Sequence, residues 1–384
     1  MNKLLYNARI YTLDSSNPFA DAVLIKNGRF AAIGRVEDLW GIVPGIPSQD
    51  MEKRVLLPGL IDAHIHLQQY ALSLQKVDCE TSTLEECLDR VSKKAEKSRR
   101  GEWILGHGWN QNLWEEGFGN AEMLDRAAPS NPVYLTAKSL HAGWANSQSL
   151  SLAGITASSL NPNNGQIKRE SDGKPSGILL ESAMDIISKQ IPEPNLETLV
   201  ESLSHAQAEL VKMGLTGVHD FDRKPCHSAL QCLNERRELK LRVVKSIPLE
   251  DLSDAISSNL RTGFGDDHLW MGSLKMFADG ALGPHTAALV EPYQDDPENT
   301  GILLLDRDQI FEIGSEAVQS GISLAIHAIG DRANHEVLQG FSQIRELEKT
   351  KGLLPARHRV EHVQLLQPED LDRLAELDLV ASMQ

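Results

Sequence analysis

From residue 195 onwards, short apolar runs alternate with longer segments in which apolar residues recur every three to four positions. The short runs predict strands and the longer segments predict helices. The predicted helices are 196–213, 228–238, 252–260, 309–319, 333–347 and 368–377. The predicted strands are 216–220, 241–247, 272–277, 322–326, 358–363 and 379–383. Such alternation is typical of a parallel sheet with crossover helices.

The first 55 residues contain short strand-like runs instead. Residues 4–13 predict one strand, and 51–57 predict another. Residues 22–25 and 29–33 flank Asn27-Gly28, a dipeptide typical of a two-residue hairpin turn. These runs predict a small β module at residues 1–55.

Residues 80–192 interrupt the strand–helix alternation, and we interpret them as an insertion that forms a wall or lid over one end of the fold. A helix is predicted to begin near Thr83, which with Glu86 fits a capping box. Trp103, Trp109, Trp114 and Trp144, four of the six tryptophans, lie in this stretch. Tryptophans line pockets and also fill cores, and the sequence leaves both alternatives open.

A further apolar run, broken at Pro58-Gly59, ends in His64 and His66. In a strand these two side chains share one face. With this strand the count is seven, ending near residues 66, 220, 247, 277, 327, 363 and 383. A closed β/α barrel has eight strands, so the chain is expected to stop one strand short. The unpaired edges would favour pairing with another chain, as in a homo-oligomer.

Length, charge and cysteine content narrow the class of protein. A chain of 384 residues suits a large α/β barrel with an addition. The net charge of −16 argues against binding to nucleic acid or to an anionic membrane surface. No apolar run reaches about 18 residues, and no signal peptide is recognised. The 4 cysteines lack Cys-x-x-Cys spacing, which indicates reduced thiols in a cytoplasmic protein.

Candidate metal ligands lie at the C-terminal ends of four predicted strands, where barrels carry their functional groups. They are His64, His66, Lys275, His327 and His362. A lone histidine at a strand end is usually only a polar residue near a loop. Four histidines and a lysine at the ends of four strands together favour a site for one or two divalent metals, and zinc is the metal that imidazole ligands usually bind. A structural zinc site is disfavoured, because such sites usually use cysteine ligands.

Lys275 lies inside an apolar strand and has two interpretations. In the first, the side chain extends its ammonium to solvent or pairs it with a carboxylate such as that of Asp279. In the second, Lys275 is a buried lysine with a lowered pKa.

Three other polar residues lie near strand ends. His219 and Asp220 are candidates for supporting contacts around the metal. Glu361 precedes a candidate ligand on its strand and is predicted to face the other way, in a structural role.

Five stretches carry a resemblance to the amidohydrolase superfamily, most closely to the branch called amidohydrolase 3 or YtcJ-like. They are Pro58-Gly-Leu-Ile-Asp-Ala-His-Ile-His66, Gly108-Trp-Asn-Gln-Asn-Leu-Trp114, Leu274-Lys-Met-Phe-Ala-Asp-Gly-Ala-Leu282, His327-Ala-Ile-Gly-Asp-Arg-Ala-Asn334 and His358-Arg-Val-Glu-His362. The resemblance implies a (β/α)8-type TIM barrel at 56–384 and a β-sandwich part at 1–55. It implies that His64 and His66 hold one metal, that His327 and His362 hold another, and that carboxylated Lys275 bridges them.

The resemblance also implies a function: hydrolysis of a non-peptide C–N bond of a small molecule by metal-activated hydroxide. In this family a strand-eight aspartate transfers the proton, and no residue here matches it. The alternative is therefore a catalytically inactive or incomplete chain. We predict Trp109, His141 and His285 as substrate contacts. His285 belongs to the stretch Ala-Leu-Gly-Pro-His-Thr after Asp279-Gly280, where members of the family usually carry Ser-Arg-Thr.

Overall fold

The N-terminal module consists of two small sheets and one short helix. The computed structural model describes residues 2–42 and 45–384. The elements are β1 (Lys3–Tyr6), β2 (Arg9–Tyr11), β3 (Phe19–Ala20), β4 (Ala22–Lys26), β5 (Arg29–Gly34), α1 (Val36–Trp40), β6 (Ser48–Asp50) and β7 (Val55–Leu56). The sheet orders are β5-β4-β1-β6 and β3-β2-β7. Strand β4 is buried on both faces, because Leu24 packs with Leu4 and Leu39 whereas Val23 packs with Ile10.

Two asparagines with left-handed backbone set strand boundaries in this module. Asn7 has a φ of 55°, so the run 4–13 is divided into β1 and β2, and the prediction of one strand was wrong. Asn27 and Gly28, with φ of 52° and 76°, form the predicted hairpin turn between β4 and β5. Asparagine and glycine tolerate this conformation better than other residues, which explains why they stand here.

The next elements are the first strand of the large sheet and an insertion with a sheet of its own. They are β8 (Leu60–Ile65), α2 (Leu67–Ser73), β9 (Val77–Asp78), α3 (Leu84–Ala95), β10 (Ile104–Trp109), α4 (Ala121–Ala127), β11 (Val133–Ala137), β12 (Ala142–Ala145), α5 (Ser147–Leu152), β13 (Gly165–Arg169), β14 (Pro175–Glu181) and α6 (Met184–Ser188). Strands β9 to β14 form a six-stranded sheet of order β13-β14-β12-β11-β10-β9.

The tryptophans of the insertion form part of its core. Trp109, Trp114 and Trp144 are buried, with ring centroids about 6 Å apart. The indole of Trp144 donates to the carbonyl of Asn120 at 2.9 Å. Of the two alternatives left open by the sequence, these three residues fill a core.

The rest of the chain alternates helices and strands. The elements are α7 (Leu196–Lys212), β15 (Leu215–Asp220), α8 (Lys224–Glu235), β16 (Arg242–Pro248), α9 (Leu252–Ser257), β17 (Leu269–Phe277), α10 (Arg307–Gln319), β18 (Leu324–Ala328), α11 (Asp331–Lys351), β19 (Arg359–His362), α12 (Arg373–Glu376) and β20 (Val380–Ser382). Where helix 368–377 was predicted, the structure has a 3-10 turn, Pro368–Asp370, followed by α12.

Seven parallel strands form a nearly closed barrel. Their order is β20-β19-β18-β17-β16-β15-β8, which follows the chain. Within the described ranges, the end strands β8 and β20 are not paired with each other. Arg359 of β19 reaches across to donate to the carbonyl of Ala63 at 2.8 Å. The C-terminal ends of all seven strands therefore open onto one mouth.

Helix α7 illustrates how the outer layer is held. The side chain of Asn195 caps its first turn by accepting the amide of Thr198. Leu199, Leu203 and Leu210 are buried at helical spacing against the barrel. Burial of each leucine contributes about 1.5–3 kcal/mol, so truncation of Leu203 to alanine would cost about 2–5 kcal/mol.

A buried polar network lies at the beginning of β19. The amide of Leu324 donates to Nδ1 of His358, whose Nε2 lies 3.2 Å from Oε1 of Glu348. Arg345 donates to the other oxygen of Glu348 at 2.7 Å. Burial raises the pKa of Glu348, but the hydrogen bonds from His358 and Arg345 outweigh it and hold the pKa at about 2. The carboxylate therefore stays ionised down to low pH.

In the described residues, no helix has the length and apolar character needed to span a membrane. All four cysteines are free thiols.

Candidate metal centre

Four imidazoles converge at the mouth of the barrel. His64 lies in β8, His66 follows it directly, His327 lies in β18, and His362 ends β19. The ring centroids of His64 and His66 are 5.8 Å apart, those of His64 and His362 are 4.9 Å apart, and those of His327 and His362 are 4.6 Å apart. The structure thus brings together the histidines that the sequence predicts as metal ligands. Their role as ligands stays a prediction.

Glu361 orients His64. Its Oε2 lies 2.7 Å from Nδ1 of His64, and Nε of Arg359 donates to its Oε1 at 2.7 Å. Burial raises the pKa of Glu361, but the hydrogen bonds from His64 and Arg359 outweigh it and hold the pKa at about 2. The ionised carboxylate accepts the Nδ1 proton of His64, which leaves Nε2 as the nitrogen that can bind a metal.

The structure corrects the prediction that Glu361 faces away from the ligands. His362 has a φ of 77°, and Val363 has a φ of 49°. This left-handed backbone breaks the strand alternation at His362, so that Glu361 and His362 both contact the ring of His64. A left-handed residue other than glycine costs on the order of 1–3 kcal/mol, and such residues cluster at functional sites.

The other histidines are oriented in the same way, with one difference. Asp222 Oδ1 lies 3.2 Å from Nδ1 of His66, and Gln384 Oε1 lies 2.8 Å from Nδ1 of His362. Both rings keep Nε2 available. His327 instead places Nε2 2.8 Å from the carbonyl oxygen of Gly280, which leaves Nδ1. Asp222 was missed in the sequence, although its position two residues after the end of β15 was a usable signal.

Burial favours the neutral form of two of the histidines. It lowers the pKa of His327 to about 4, and it also lowers the pKa of His362. Neutral imidazole is the form that binds metals, so both rings have the required protonation state at neutral pH.

Lys275 is the least ordinary residue of the site. Its side chain is 4% exposed, and its Nζ has no hydrogen-bond partner among the described residues. The ammonium lies 4.9 Å from the ring centroid of Phe221 and 4.7 Å from that of Phe277. Burial lowers the pKa of Lys275 to about 8. Of the two sequence interpretations, the structure agrees with a buried lysine of lowered pKa.

Asp279 does not pair with Lys275. Its carboxylate accepts the backbone amides of Ala288, Ile329 and Gly330, at 2.8–3.0 Å. It therefore ties the long segment after β17 to the turn after β18.

The predicted substrate contacts have partners other than the candidate metal ligands. Trp109 is buried in the insertion core, its indole donates to the carbonyl of Leu135 at 3.0 Å, and it also borders a small cavity of about 300 Å³. His141 is exposed and pairs with Glu181 at 3.0 Å. His285 stacks on Tyr293 with ring centroids 4.4 Å apart. For all three residues the predicted role stays a prediction.

His219 and Asp220 contact residues that neighbour the candidate ligands, and their supporting role around a metal stays a prediction. Nη1 of Arg359 lies 2.7 Å from Nδ1 of His219, and burial lowers the pKa of this imidazole to about 4. Arg359, which the sequence analysis did not single out, therefore links Glu361 with the second strand of the barrel. Asp220 accepts the amide of Leu67, directly after His66, at 2.9 Å.

A cavity of about 740 Å³ opens beside the imidazoles. His66, Asp222 and Lys275 lie on its metal-site side. The apolar part of its lining includes Phe221, Pro248, Leu249, Met276, Phe277, Leu304 and Leu305. Polar side chains also line it, namely Gln68, Gln69, Glu193, Arg223 and Glu250. Its size is that of a small-molecule site.

Known proteins resemble this chain along its whole length. The plant protein LONG AFTER FAR-RED 3 from Arabidopsis thaliana is 31% identical over 395 aligned positions, which cover 99% of this chain and 67% of the plant protein. N-substituted formamide deformylase from Arthrobacter pascens is 28% identical, over 99% of this chain and 72% of the enzyme. The crystal structure of a metal-dependent hydrolase from Pyrococcus furiosus superposes with a TM-score of 0.82 at 29% identity, over 100% of this chain and 77% of that one.

The family assignment rests on the match with a family model. The model of the Amidohydrolase family matches residues 49–384, from the end of the N-terminal module through the barrel. This range contains every histidine of the metal centre and Lys275. The chain therefore belongs to the amidohydrolase family, whose fold and metal-dependent relatives agree with the barrel and the imidazole cluster described above.

Proposed function

We propose that this protein cleaves a non-peptide C–N bond, of the amide type, in a small molecule with the help of a divalent metal. The observation that carries the proposal is the convergence of four oriented imidazoles and one unpaired lysine at the mouth of a barrel. A buried lysine without a partner costs stability. Its presence therefore supports a chemical use over the alternative of an inactive chain.

The donor set fits a first-row metal. His64, His66 and His362 would bind through Nε2 and His327 through Nδ1, because the other nitrogen of each ring has a partner. Neutral imidazoles suit zinc, which we propose as the metal. When bound, such a metal acts as a Lewis acid and lowers the pKa of water to about 7.

Lys275 would complete the set as a carbamate. With its pKa at about 8, about one amine in ten is neutral at pH 7. The nitrogen lone pair of this amine forms a bond with the carbon of CO₂, and one proton leaves to solvent. The product carries an anionic carboxylate in place of the ammonium, and it can bind metal through oxygen.

The cavity supports a small substrate with an apolar substituent. The substrate carbonyl would lie beside His66 and Lys275, and the substituent would lie against Phe277 and Leu304. The name of the Arthrobacter relative, N-substituted formamide deformylase, describes a C–N bond of this kind and supports the proposed bond type.

The proposal is tested by metal analysis together with hydrolysis of a series of N-substituted formamides, N-methyl, N-butyl and N-benzyl. We expect His64→Ala and His327→Ala to lose bound metal and activity. His205→Ala, on the exposed face of α7, is the matched control and should keep both. Full metal stoichiometry in both site variants would refute the ligand assignment, and a metal-loaded protein that cleaves none of the formamides would refute the bond type.

A further inference from the structure

A cluster of buried charges lies beside His66, between the barrel strands and α8. It consists of the charged residues Asp220, Asp222 and Lys245 and the neutral thiol of Cys226, and Lys245 is 1% exposed. Ligand atoms of Asp220, Asp222 and Cys226 lie within 4.8 Å of one another. Lys245 comes from the third strand of the barrel, Asp220 ends the second strand, and His66 follows the first. The cluster therefore joins three consecutive strands of the barrel.

The ammonium of Lys245 connects the two carboxylate-bearing residues. Its Nζ lies 3.0 Å from Oδ2 of Asp220, and it donates a hydrogen bond to the backbone carbonyl of Asp222. One cation thus fixes both the side chain of Asp220 and the main chain of Asp222.

The same two carboxylates hold the turn that carries His66. Asp220 Oδ1 accepts the amide of Leu67 at 2.9 Å, and Asp222 Oδ2 accepts the amide of Gln68. The second oxygen of Asp222, Oδ1, lies 3.2 Å from Nδ1 of His66. Polar contacts therefore run without a break from Lys245 to Asp222 and from Asp222 to the His66 ring.

Two simpler interpretations fit less well. A metal bound by the two aspartates and Cys226 would have to share the cluster with the Lys245 ammonium, which already supplies the cation. A purely structural ion pair would be replaceable by apolar side chains at little cost. Such an ion pair would also have no need of the hydrogen bond from the Lys245 ammonium to the main chain of Asp222, the residue that orients His66.

We propose that Lys245 is a positioning residue for metal binding, which holds Asp222 and through it the His66 imidazole. This inference rests on the proposed function. Without the ammonium, the carbonyl of Asp222 loses its donor, and the repulsion between the carboxylates of Asp220 and Asp222 is no longer offset. Asp222 then moves away from His66, and the ring loses its fixed orientation.

The test measures affinity for Co²⁺ and Zn²⁺ by chelator competition, and the visible absorption of the Co²⁺ form. Loss of a contact that orients a metal-binding histidine weakens metal affinity by about 10–100-fold, and we expect this for Lys245→Met together with an altered Co²⁺ spectrum. Lys240→Met, an exposed lysine just before the same strand, is the matched control and should change neither.

A double-mutant cycle distinguishes positioning from general destabilisation. If Lys245 acts through Asp222, the effect of Lys245→Met should fall below about 3-fold in the Asp222→Asn background. Equal and additive losses in both backgrounds would overturn the inference, and so would an unchanged affinity in Lys245→Met.

Two further results complete the test. If Lys245→Met does not fold, Asp220→Asn decides, because it removes the charge partner of Lys245 and keeps an oxygen for the Leu67 amide. A loss of affinity there that Asp222→Asn abolishes supports the inference, and an unchanged affinity overturns it. A wild-type protein that binds neither metal would refute the proposed function, whereas normal wild-type binding with an unaffected Lys245→Met would refute this inference alone.

Discussion

Replacement of Lys275 by methionine should stabilise the metal-free protein while it removes the site. The ammonium is 4% exposed and unpaired among the described residues, so the charged form is held in the fold at a cost. Methionine keeps most of the length and the apolar stem of lysine but carries no charge. We therefore expect a protein that is more stable but does not bind a full complement of metal.

The size of the effect follows from the pKa. The folded-state pKa of Lys275 is about 8, below the ordinary value of 10.5. The free-energy cost of burying the charged amine is fully present below pH 8. It disappears as the pH rises through 10.5, because the neutral amine then dominates in both the folded and the unfolded state. The shift corresponds to about 3 kcal/mol at pH 7 and about 1 kcal/mol at pH 10. Cation–π attraction to the two flanking phenylalanine rings offsets about 1–2 kcal/mol, so the net gain at pH 7 is about 1–2 kcal/mol.

The assay is urea denaturation of chelator-treated protein in CO₂-free buffer at pH 7 and pH 10, with far-ultraviolet circular dichroism as the signal. The free energy of unfolding of Lys275→Met should exceed that of wild type at pH 7, and this excess should be smaller at pH 10, where the amine is neutral in the folded state and partly neutral in the unfolded state. Lys240→Met, which is exposed, should change stability at neither pH. A Lys275→Met protein less stable than wild type at pH 7, or a gain independent of pH, would refute the argument.

Three other changes have defined outcomes. Glu361→Gln should weaken metal affinity by about 10–100-fold and leave the fold largely intact, because a carboxamide orients His64 less firmly than a carboxylate. Chelator competition measures the affinity, and a value equal to that of wild type would contradict the prediction. Glu348→Gln should lower the free energy of unfolding by about 2–4 kcal/mol at pH 7 and by much less at pH 2–3. The pKa of Glu348 is held at about 2, so the stability that its carboxylate contributes is lost as the pH falls through that value. Urea denaturation at both pH values measures the difference, and a cost independent of pH would contradict it. Gly330→Ala should destabilise the protein by more than about 3 kcal/mol, because the added Cβ would lie 1.9 Å from a carbonyl oxygen. Gly283→Ala is the control, since Gly283 has open space around it and the change should be nearly neutral. Thermal denaturation of both variants measures the difference.

Much of the fold followed from local sequence signals. The alternation of apolar runs predicted the helices and strands of the barrel from residue 195 onwards, and the observed bounds differ by a few residues. Two boundaries carry recognisable local signals: the cap at Asn195 before the first of these helices, and the turn at Asn27-Gly28 in the N-terminal module. Where a prediction was wrong, as at Asn7, the cause was one residue with left-handed backbone inside an apolar run.

The candidate site was predictable in its ligands but not in their surroundings. His64, His66, His327 and His362 were identified because each stands at the end of a predicted strand. Their orienting partners were not, because hydrogen bonds between strands far apart in sequence leave no local periodicity. Trp109 is buried in the insertion core, which the sequence left open, and its predicted substrate contact stays a prediction.

The sequence by itself determined which residues end the strands, and hence which side chains can meet at the mouth of the barrel. Only the tertiary structure decided which nitrogen of each imidazole is free, because that depends on partners such as Glu361, which lies 297 residues from His64. It also decided the low pKa of Lys275, because desolvation arises only when Phe221 and Phe277 close around the amine. Strand periodicity is a local property of the backbone, whereas burial and long-range hydrogen bonding exist only once the barrel has formed.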